Sequence, residues 1–217
     1  MCDVEILSRL GTKVCISDNI RFSRDPLLLA SFAGVRERES ILDIGAGSGI
    51  ITFALRDAGH EGRAVALELD GEACELMARS VGINDAQNIE IVRGDLREFR
   101  TTAKFDVALC NPPYFKFGAG KLNSDAQSRS ARSESTCTAD DVAACAVRSL
   151  KEGGRLVICC RTERLAELIC LFERRSLELK RLQFVKHTRG GQPWLALLEA
   201  RYRAGTGLVI LPDLIDN

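Results

Sequence analysis

An apolar segment from Ser40 to Ile44 runs into Gly45-Ala46-Gly47-Ser48-Gly49 and then into Ile50-Ile51-Thr52-Phe53-Ala54-Leu55. A short strand, a glycine turn and a helix in direct succession form the opening unit of a doubly wound α/β sheet. Glycine lets the backbone pass close beneath a ligand, and free amides at a helix start can meet a carboxylate. The spacing is G-x-G-x-G, which differs from the G-x-G-x-x-G of dinucleotide enzymes. Taken alone, such a turn is also a simple tight connection.

The segments that follow extend the pattern. Ala64-Val65-Ala66-Leu67 reads as a second strand ending at Glu68, 19 residues beyond Gly49, and Gly71 to Val81 reads as a helix. A carboxylate at that strand end is the expected partner of ribose hydroxyls. A third strand, Ile89 to Val92, leads to Arg93-Gly94-Asp95-Leu96. Asp95 reads either as a helix N-cap or as an acceptor for an adenine amine. Each carboxylate is ambiguous by itself; their recurrence at the ends of successive strands points to a ligand.

A fourth strand, Phe105 to Cys110, ends at Asn111-Pro112-Pro113-Tyr114. Neither proline donates to a ladder, and the proline after Asn111 drives that residue into extended geometry. The result is a stiff tip carrying one amide, backbone carbonyls and an aromatic ring, suited to holding a flat polar group. Residues 115–137 are poor in apolar side chains and include Lys116, Lys121, Arg129 and Arg132. A connection of this length inside a domain is usually functional or disordered.

Thr138-Ala139-Asp140-Asp141 reads as a helix start, with the helix closed by Gly153-Gly154. Arg155 to Cys160 is a fifth strand and Thr162 to Arg175 a helix. Leu177 to Lys186 and Trp194 to Tyr202 form a closing antiparallel hairpin, and Leu208 to Leu211 is a candidate short strand. Near the N-terminus, Leu10 to Ser17 reads as a small hairpin or arm. Asp25 and Pro26 are placed as N-cap and first residue of a helix through Leu27-Leu28-Leu29-Ala30, with Phe22 or Asp25 as a candidate ligand contact.

With 217 residues, 46% hydrophobic and 28% charged, the chain fits one globular domain with small appendages. No apolar run approaches the ~20 residues needed to span a bilayer, and residues 1–10 lack the apolar core of a secretory signal. Nine cysteines without C-x-x-C or zinc-type spacing read as reduced thiols of a cytoplasmic protein, and no metal is expected. Net charge is zero but uneven: 13 Lys+Arg face 18 Asp+Glu before Asn111, and 17 face 12 from there on. The basic excess after the tip suits a polyanionic partner as well as it suits solvated helix faces.

Ile41-Leu42-Asp43-Ile44-Gly45-Ala46-Gly47-Ser48-Gly49, Glu68, Asp95 and Asn111-Pro112-Pro113-Tyr114 together resemble the class I S-adenosylmethionine-dependent methyltransferases, over roughly residues 20–202. The resemblance implies a Rossmann-like, seven-stranded, mostly parallel sheet with its last strand reversed, in agreement with the closing hairpin. It implies an S-adenosylmethionine site made by Asp43, Gly45, Ala46, Gly47, Gly49, Glu68, Asp95 and Asn111. It further implies catalytic roles for Asn111, Pro112 and Tyr114 around a planar acceptor nitrogen. The implied organisation is an arm over 1–24, a methyltransferase domain over 25–203 with a substrate loop at 115–137, and a tail over 204–217.

Within that class, Arg21-Phe22-Ser23-Arg24-Asp25-Pro26-Leu27-Leu28-Leu29-Ala30 and Ala131-Arg132-Ser133-Glu134 are similar to the bacterial adenine-N6 methyltransferases of valine tRNA. Ser133 stands where that group usually has His. The resemblance implies an RNA partner, specifically tRNA, a monomer, and a base splayed or flipped to reach the tip. Arg174, Arg175, Lys180, Arg181, Lys186 and Arg189 are then candidate phosphate contacts. Guanine-N2 methylation of ribosomal RNA and glutamine-N5 methylation of protein use related tips, and a non-catalytic S-adenosylmethionine-binding RNA scaffold is a further alternative. The ~40 residues ahead of the glycine turn leave little room for the helical domain of the glutamine enzymes.

Overall fold

A computed structural model describes residues 3–112 and 137–216 of the chain. Pro113, Tyr114 and residues 115–136 of the expected substrate loop lie outside the described residues.

Strand β3 (Ile41–Ile44) is buried at every position, as an inner strand of a parallel sheet must be. It lies between β4 (Ala64–Glu68) and β6 (Phe105–Cys110), parallel to both. Beyond β4 comes β5 (Ile89–Arg93), and beyond β6 comes β7 (Leu150–Arg161), again parallel. The hairpin of β8 (Leu177–Lys186) and β9 (Leu195–Tyr202) closes the sheet, with β9 inserted antiparallel between β7 and β8. The expected seven strands, with the last reversed, are therefore present in the order β5-β4-β3-β6-β7-β9-β8. Two short strands, β10 (Val209–Ile210) and β11 (Leu214–Ile215), pair in parallel with β8 and extend the sheet.

Alternate strand residues feed two cores. Ile41, Ala64, Ala66 and Val107 meet α1 (Asp25–Ala33), α2 (Ile50–Asp57) and α3 (Gly71–Ile83) on one face. Leu42, Ile44, Val65 and Ala108 meet α4 (Ala139–Ser149) and α5 (Leu165–Arg174) on the other. The order of the chain reverses between β3 and β6, so the carboxyl ends of these strands frame the crevice where a doubly wound sheet binds its ligand. Among the described residues, no helix is long and apolar enough to cross a membrane.

The arm is a hairpin of β1 (Asp3–Ile6) and β2 (Lys13–Ile16), somewhat longer than expected. Its turn is fastened to the end of α2, where Asp57 accepts the backbone N–H groups of Arg9 (2.8 Å), Leu10 (2.9 Å) and Thr12 (3.0 Å). Burial alone would raise the Asp57 pKa, but these bonds hold it below the usual range. On α3, Ser80 Oγ accepts the Cys15 N–H at 2.8 Å. The arm is thus anchored where its continuation, Asn19 to Arg21, passes over the crevice.

Two local expectations are corrected. Asp25 is not the N-cap of α1: Arg24 occupies that position, and Asp25 is a buried first-turn residue. Gly153-Gly154 do not close α4, which ends at Ser149 with its N-terminus secured by a Thr138–Asp141 capping box. The glycines lie inside β7, where the pairing to β6 skips from Phe105↔Leu150 to Val107↔Arg155. Gly153, at φ +74°, supplies the left-handed residue that this bulge needs.

Candidate functional site

A cavity of about 420 Å³ opens at the carboxyl ends of β3 to β6. Its walls include Gly45 and Gly47 of the turn, Glu68, Asp95, Cys110 and Pro112. The volume lies within the ~300–1,000 Å³ of small-molecule sites. Four of the expected cofactor residues, Gly45, Gly47, Glu68 and Asp95, therefore meet in one place. The cavity also takes Asn19, Ile20 and Arg21 from the arm and Cys137 and Val142 from the approach to α4. The local pattern points to Phe22 or Asp25 instead. Nothing in the local pattern marks the three arm residues, because the arm's path depends on its distant anchors Asp57 and Ser80.

Glu68 organises the site. Its Oε2 accepts the Gly47 N–H at 2.8 Å, and its Oε1 accepts those of Leu69 (2.8 Å) and Asp70 (2.9 Å). The amides of Gly45 and Ala46 both donate to Leu67 O, at 2.9 and 3.1 Å, and that of Gly49 to Ala46 O at 2.8 Å. Most of the amides expected to be free in the turn are thus used to shape it. Positive φ at Gly45 (+69°) and Gly47 (+57°) explains the glycines there. Gly49 is needed for a second reason: a Cβ would lie 2.9 Å from Met77 Cγ and from Phe53 Cε2.

Asp43 has no exposed surface and does not line the cavity. Its Oδ2 accepts the Thr52 hydroxyl at 2.8 Å, and its Oδ1 has no partner among the described residues. Burial, partly offset by Thr52 and reinforced by the Glu68 charge, raises its pKa to about 7. Ala46 is buried within the turn.

Asp95 is engaged more closely than expected. Both carboxylate oxygens accept Arg97 Nε (2.9 and 3.0 Å), and Oδ1 also accepts the Arg97 backbone N–H at 2.8 Å. The Arg97 side chain and then its backbone bond hold the Asp95 pKa below the usual range. Asp95 caps no helix, because only a turn over 96–98 follows it; its side chain braces that turn and stands in the cavity wall.

Asn111 and Pro112 continue β6 beyond its last ladder pair, Cys110↔Ile158. Asn111 Oδ1 accepts a hydrogen bond from the Cys159 thiol at 2.9 Å. Pro112 lies between the first cavity and a larger one of about 780 Å³, whose walls include Cys159, Arg161, Arg164 and Arg174. The smaller cavity collects the turn and the carboxylates; the larger, mostly apolar with an arginine rim, faces the other side of the tip. Tyr114, the third expected catalytic residue, lies outside the described residues.

Most basic residues assigned to phosphate have partners inside the chain. Arg181 donates to Glu199 (2.8 Å) and lies over the Phe32 ring, Lys186 pairs with Asp213 (2.6 Å), Arg175 with Asp140 (2.8 Å), and Lys180 donates to Gly205 O. Lys116, Lys121, Arg129 and Arg132 lie outside the described residues.

The residues present fit S-adenosylmethionine. A carboxylate stands at the end of β4 and another just beyond β5, and a glycine turn lies beside them in the same cavity wall. Among the described residues, no group of three His, Cys, Asp or Glu side chains could hold a metal ion.

Comparison with known proteins identifies the family. Residues 25–173 match the methyltransferase small domain family. A tRNA1(Val) (adenine(37)-N6)-methyltransferase of Photobacterium profundum is 31% identical over 173 residues, covering 76% of this chain and 71% of that protein. A protein of the same name from Pseudoalteromonas translucida is 29% identical over 96 residues, and there the match spans only 41% of the relative's length. Among solved structures, a predicted O-methyltransferase from Agrobacterium tumefaciens superposes with a TM-score of 0.70 at 20% identity, covering 88% of this chain and 86% of that one. That likeness concerns the fold alone.

Proposed function

The chain belongs to the methyltransferase small domain family and is an S-adenosylmethionine-dependent methyltransferase, and on that premise we propose that it methylates the exocyclic N6 of adenine in tRNA, of the tRNA1(Val) adenine 37 type. The observation that carries the reading is the position of Asn111 and Pro112 at the end of β6, next to the cavity walled by Glu68, Asp95 and the glycine turn. The similarity to the relatives of that name supports the choice of substrate.

When bound, S-adenosylmethionine supplies an electrophilic methyl on a sulfonium. Glu68 retains acceptor capacity on Oε2 for a ribose hydroxyl, since a carboxylate offers about four lone-pair sites and three of them, both of Oε1 included, take backbone N–H groups. Asp95 would share its oxygens between Arg97 and the adenine amine of the donor.

The acceptor amine is planar, with its lone pair delocalised into the ring. Asn111 Oδ1 and the Pro112 carbonyl are assigned to its two hydrogens, holding the nitrogen in line with the methyl. They also stabilise the positive charge that develops on it. Orientation of two reactants of this kind is worth a large share of a rate enhancement, and no strong base is needed. Tyr114 is assigned to stack on the base, a contact worth ~1–3 kcal/mol in comparable sites.

The deciding experiment is nucleoside mass spectrometry on RNA from a deletion strain. Loss of N6-methyladenosine from one tRNA, restored by the wild-type gene and not by Asn111→Ala, is the expected result. Unchanged N6-methyladenosine with loss of N2-methylguanosine from ribosomal RNA would overturn the substrate assignment.

A further inference from the structure

We propose that Cys159 is a positioning residue for Asn111: its thiol donates to Asn111 Oδ1 and selects the side-chain orientation that presents oxygen, not the NH2 group, to the acceptor. The inference rests on the reading of Asn111 as the residue that holds the acceptor nitrogen.

The placement follows from strand register. β6 and β7 run parallel with Cys110 opposite Ile158, so Asn111 and Cys159 are the next residues of the two strands. The thiol approaches Oδ1 to 2.9 Å. Cys159 is 3% exposed, and burial, reinforced by the charge of Asp25, keeps its thiol protonated throughout the physiological range. A group locked as S–H toward its neighbour selects for an oxygen acceptor.

That selectivity matters because an asparagine amide is nearly symmetric in shape. Its terminal torsion is broad and roughly two-fold, so sterics alone do not choose between the two flipped states. In one state the amide oxygen meets the N–H of the acceptor amine. In the other, N–H faces N–H, the hydrogen bond is lost, and developing positive charge on the acceptor is opposed. A neighbouring thiol favours the first state, because its S–H donates to oxygen whereas its sulfur is only a weak acceptor for the NH2 group of the second. It occupies one of the two lone pairs of Oδ1 and leaves the other for one hydrogen of the acceptor. Ile158, one residue earlier, points to the opposite core and cannot substitute. The same argument explains why a thiol is tolerated at a strand end beside an electrophile: buried and protonated, it is a poor nucleophile.

The test uses the full chain, tritiated S-adenosylmethionine and the RNA that the wild-type protein labels. Cys159→Ala is expected to lower kcat about ten-fold, the loss of one modest hydrogen bond, with KM for RNA and the Kd of S-adenosylhomocysteine nearly unchanged. Cys159→Ser, which restores a donor, is expected to recover most of the rate. If the alanine variant does not fold, Cys159→Val fills the volume without a donor and should show the same loss. An infrared arm needs no activity: the S–H stretching band missing from Cys159→Ser should be one shifted to low frequency, and Asn111→Ala should move it up. Equal slowing by Ala and Ser, wild-type kcat in Cys159→Ala, or a band insensitive to Asn111→Ala would each overturn the proposal. Wild-type methylation by Asn111→Ala would instead overturn the reading of Asn111 itself.

Discussion

Glu68 Oε2 accepts the Gly47 N–H at 2.8 Å, tying the end of β4 to the turn that follows β3. The carboxylate assigned to the ribose therefore also sets the shape of the cavity floor. Truncation to Glu68→Ala should weaken S-adenosylhomocysteine binding by about ten- to a hundred-fold, since a charge-assisted hydrogen bond is worth roughly 1.5–3 kcal/mol. Glu68→Gln, which keeps one acceptor oxygen, should fall between. Titration calorimetry measures both, and wild-type affinity in the alanine variant would remove Glu68 from the site.

Gly49 and Gly45 both have positive φ, +79° and +69°, but only at Gly49 would a Cβ strike side chains. Gly45→Ala should cost about 1–2 kcal/mol through left-handed strain alone. At Gly49→Ala the collision with Met77 and Phe53 adds a further ~1–3 kcal/mol of overpacking. Urea midpoints of the two variants give the comparison; equal losses would contradict the packing described for the turn.

Asp43 has a folded pKa of about 7, raised above its unfolded value of about 3.9. Between those values the folded state binds more protons than the unfolded one. Stability is therefore highest below the unfolded pKa, declines as pH rises through the interval, and levels off above 7. Asp43→Asn removes this dependence. The variant should be more stable than wild type by about 2 kcal/mol at pH 8, and the gain should shrink toward pH 4. Thermal melts across that range decide it, and a gain independent of pH would count against a buried, titrating Asp43.

Arg155 makes paired hydrogen bonds to Glu39 at 2.7 and 2.8 Å and lies 3.8 Å from buried Glu199, which also takes Arg181. Removing the guanidinium leaves half-buried Glu39 with only the Arg36 N–H, while Glu199 keeps Arg181 and Arg201, so Arg155→Ala should cost about 1–3 kcal/mol. Arg155→Lys keeps the charge without the fork and should lose less. Denaturation of both, with S-adenosylhomocysteine affinity as a control, separates this structural network from the site.

Much of the fold is legible in the chain because inner strands of a parallel sheet are continuous apolar runs. Ile41–Ile44, Ala64–Leu67 and Phe105–Cys110 needed no partner to be recognised. The misreadings have local causes with distant resolutions. Asp25 has the composition of an N-cap, but its helix begins one residue earlier and the side chain turns into the core. Gly153-Gly154 has the look of a helix end, yet the pairing of β7 with β6 turns it into a bulge. Lys186 and Arg181 read as candidate phosphate contacts until Asp213 and Glu199 are brought beside them.

Residue order alone established the strand–turn–helix start, the carboxylates at successive strand ends and the Asn-Pro-Pro-Tyr tip, because periodicity, glycine spacing and proline geometry act over a few residues. Which of these groups meet was decided by strand order and register. Those features put Glu68 on the Gly47 amide, bring the anchored arm over the cavity, and set the Cys159 thiol against Asn111. Such contacts join residues tens of positions apart, and no local preference encodes them. They exist only once the sheet has closed and buried its two faces.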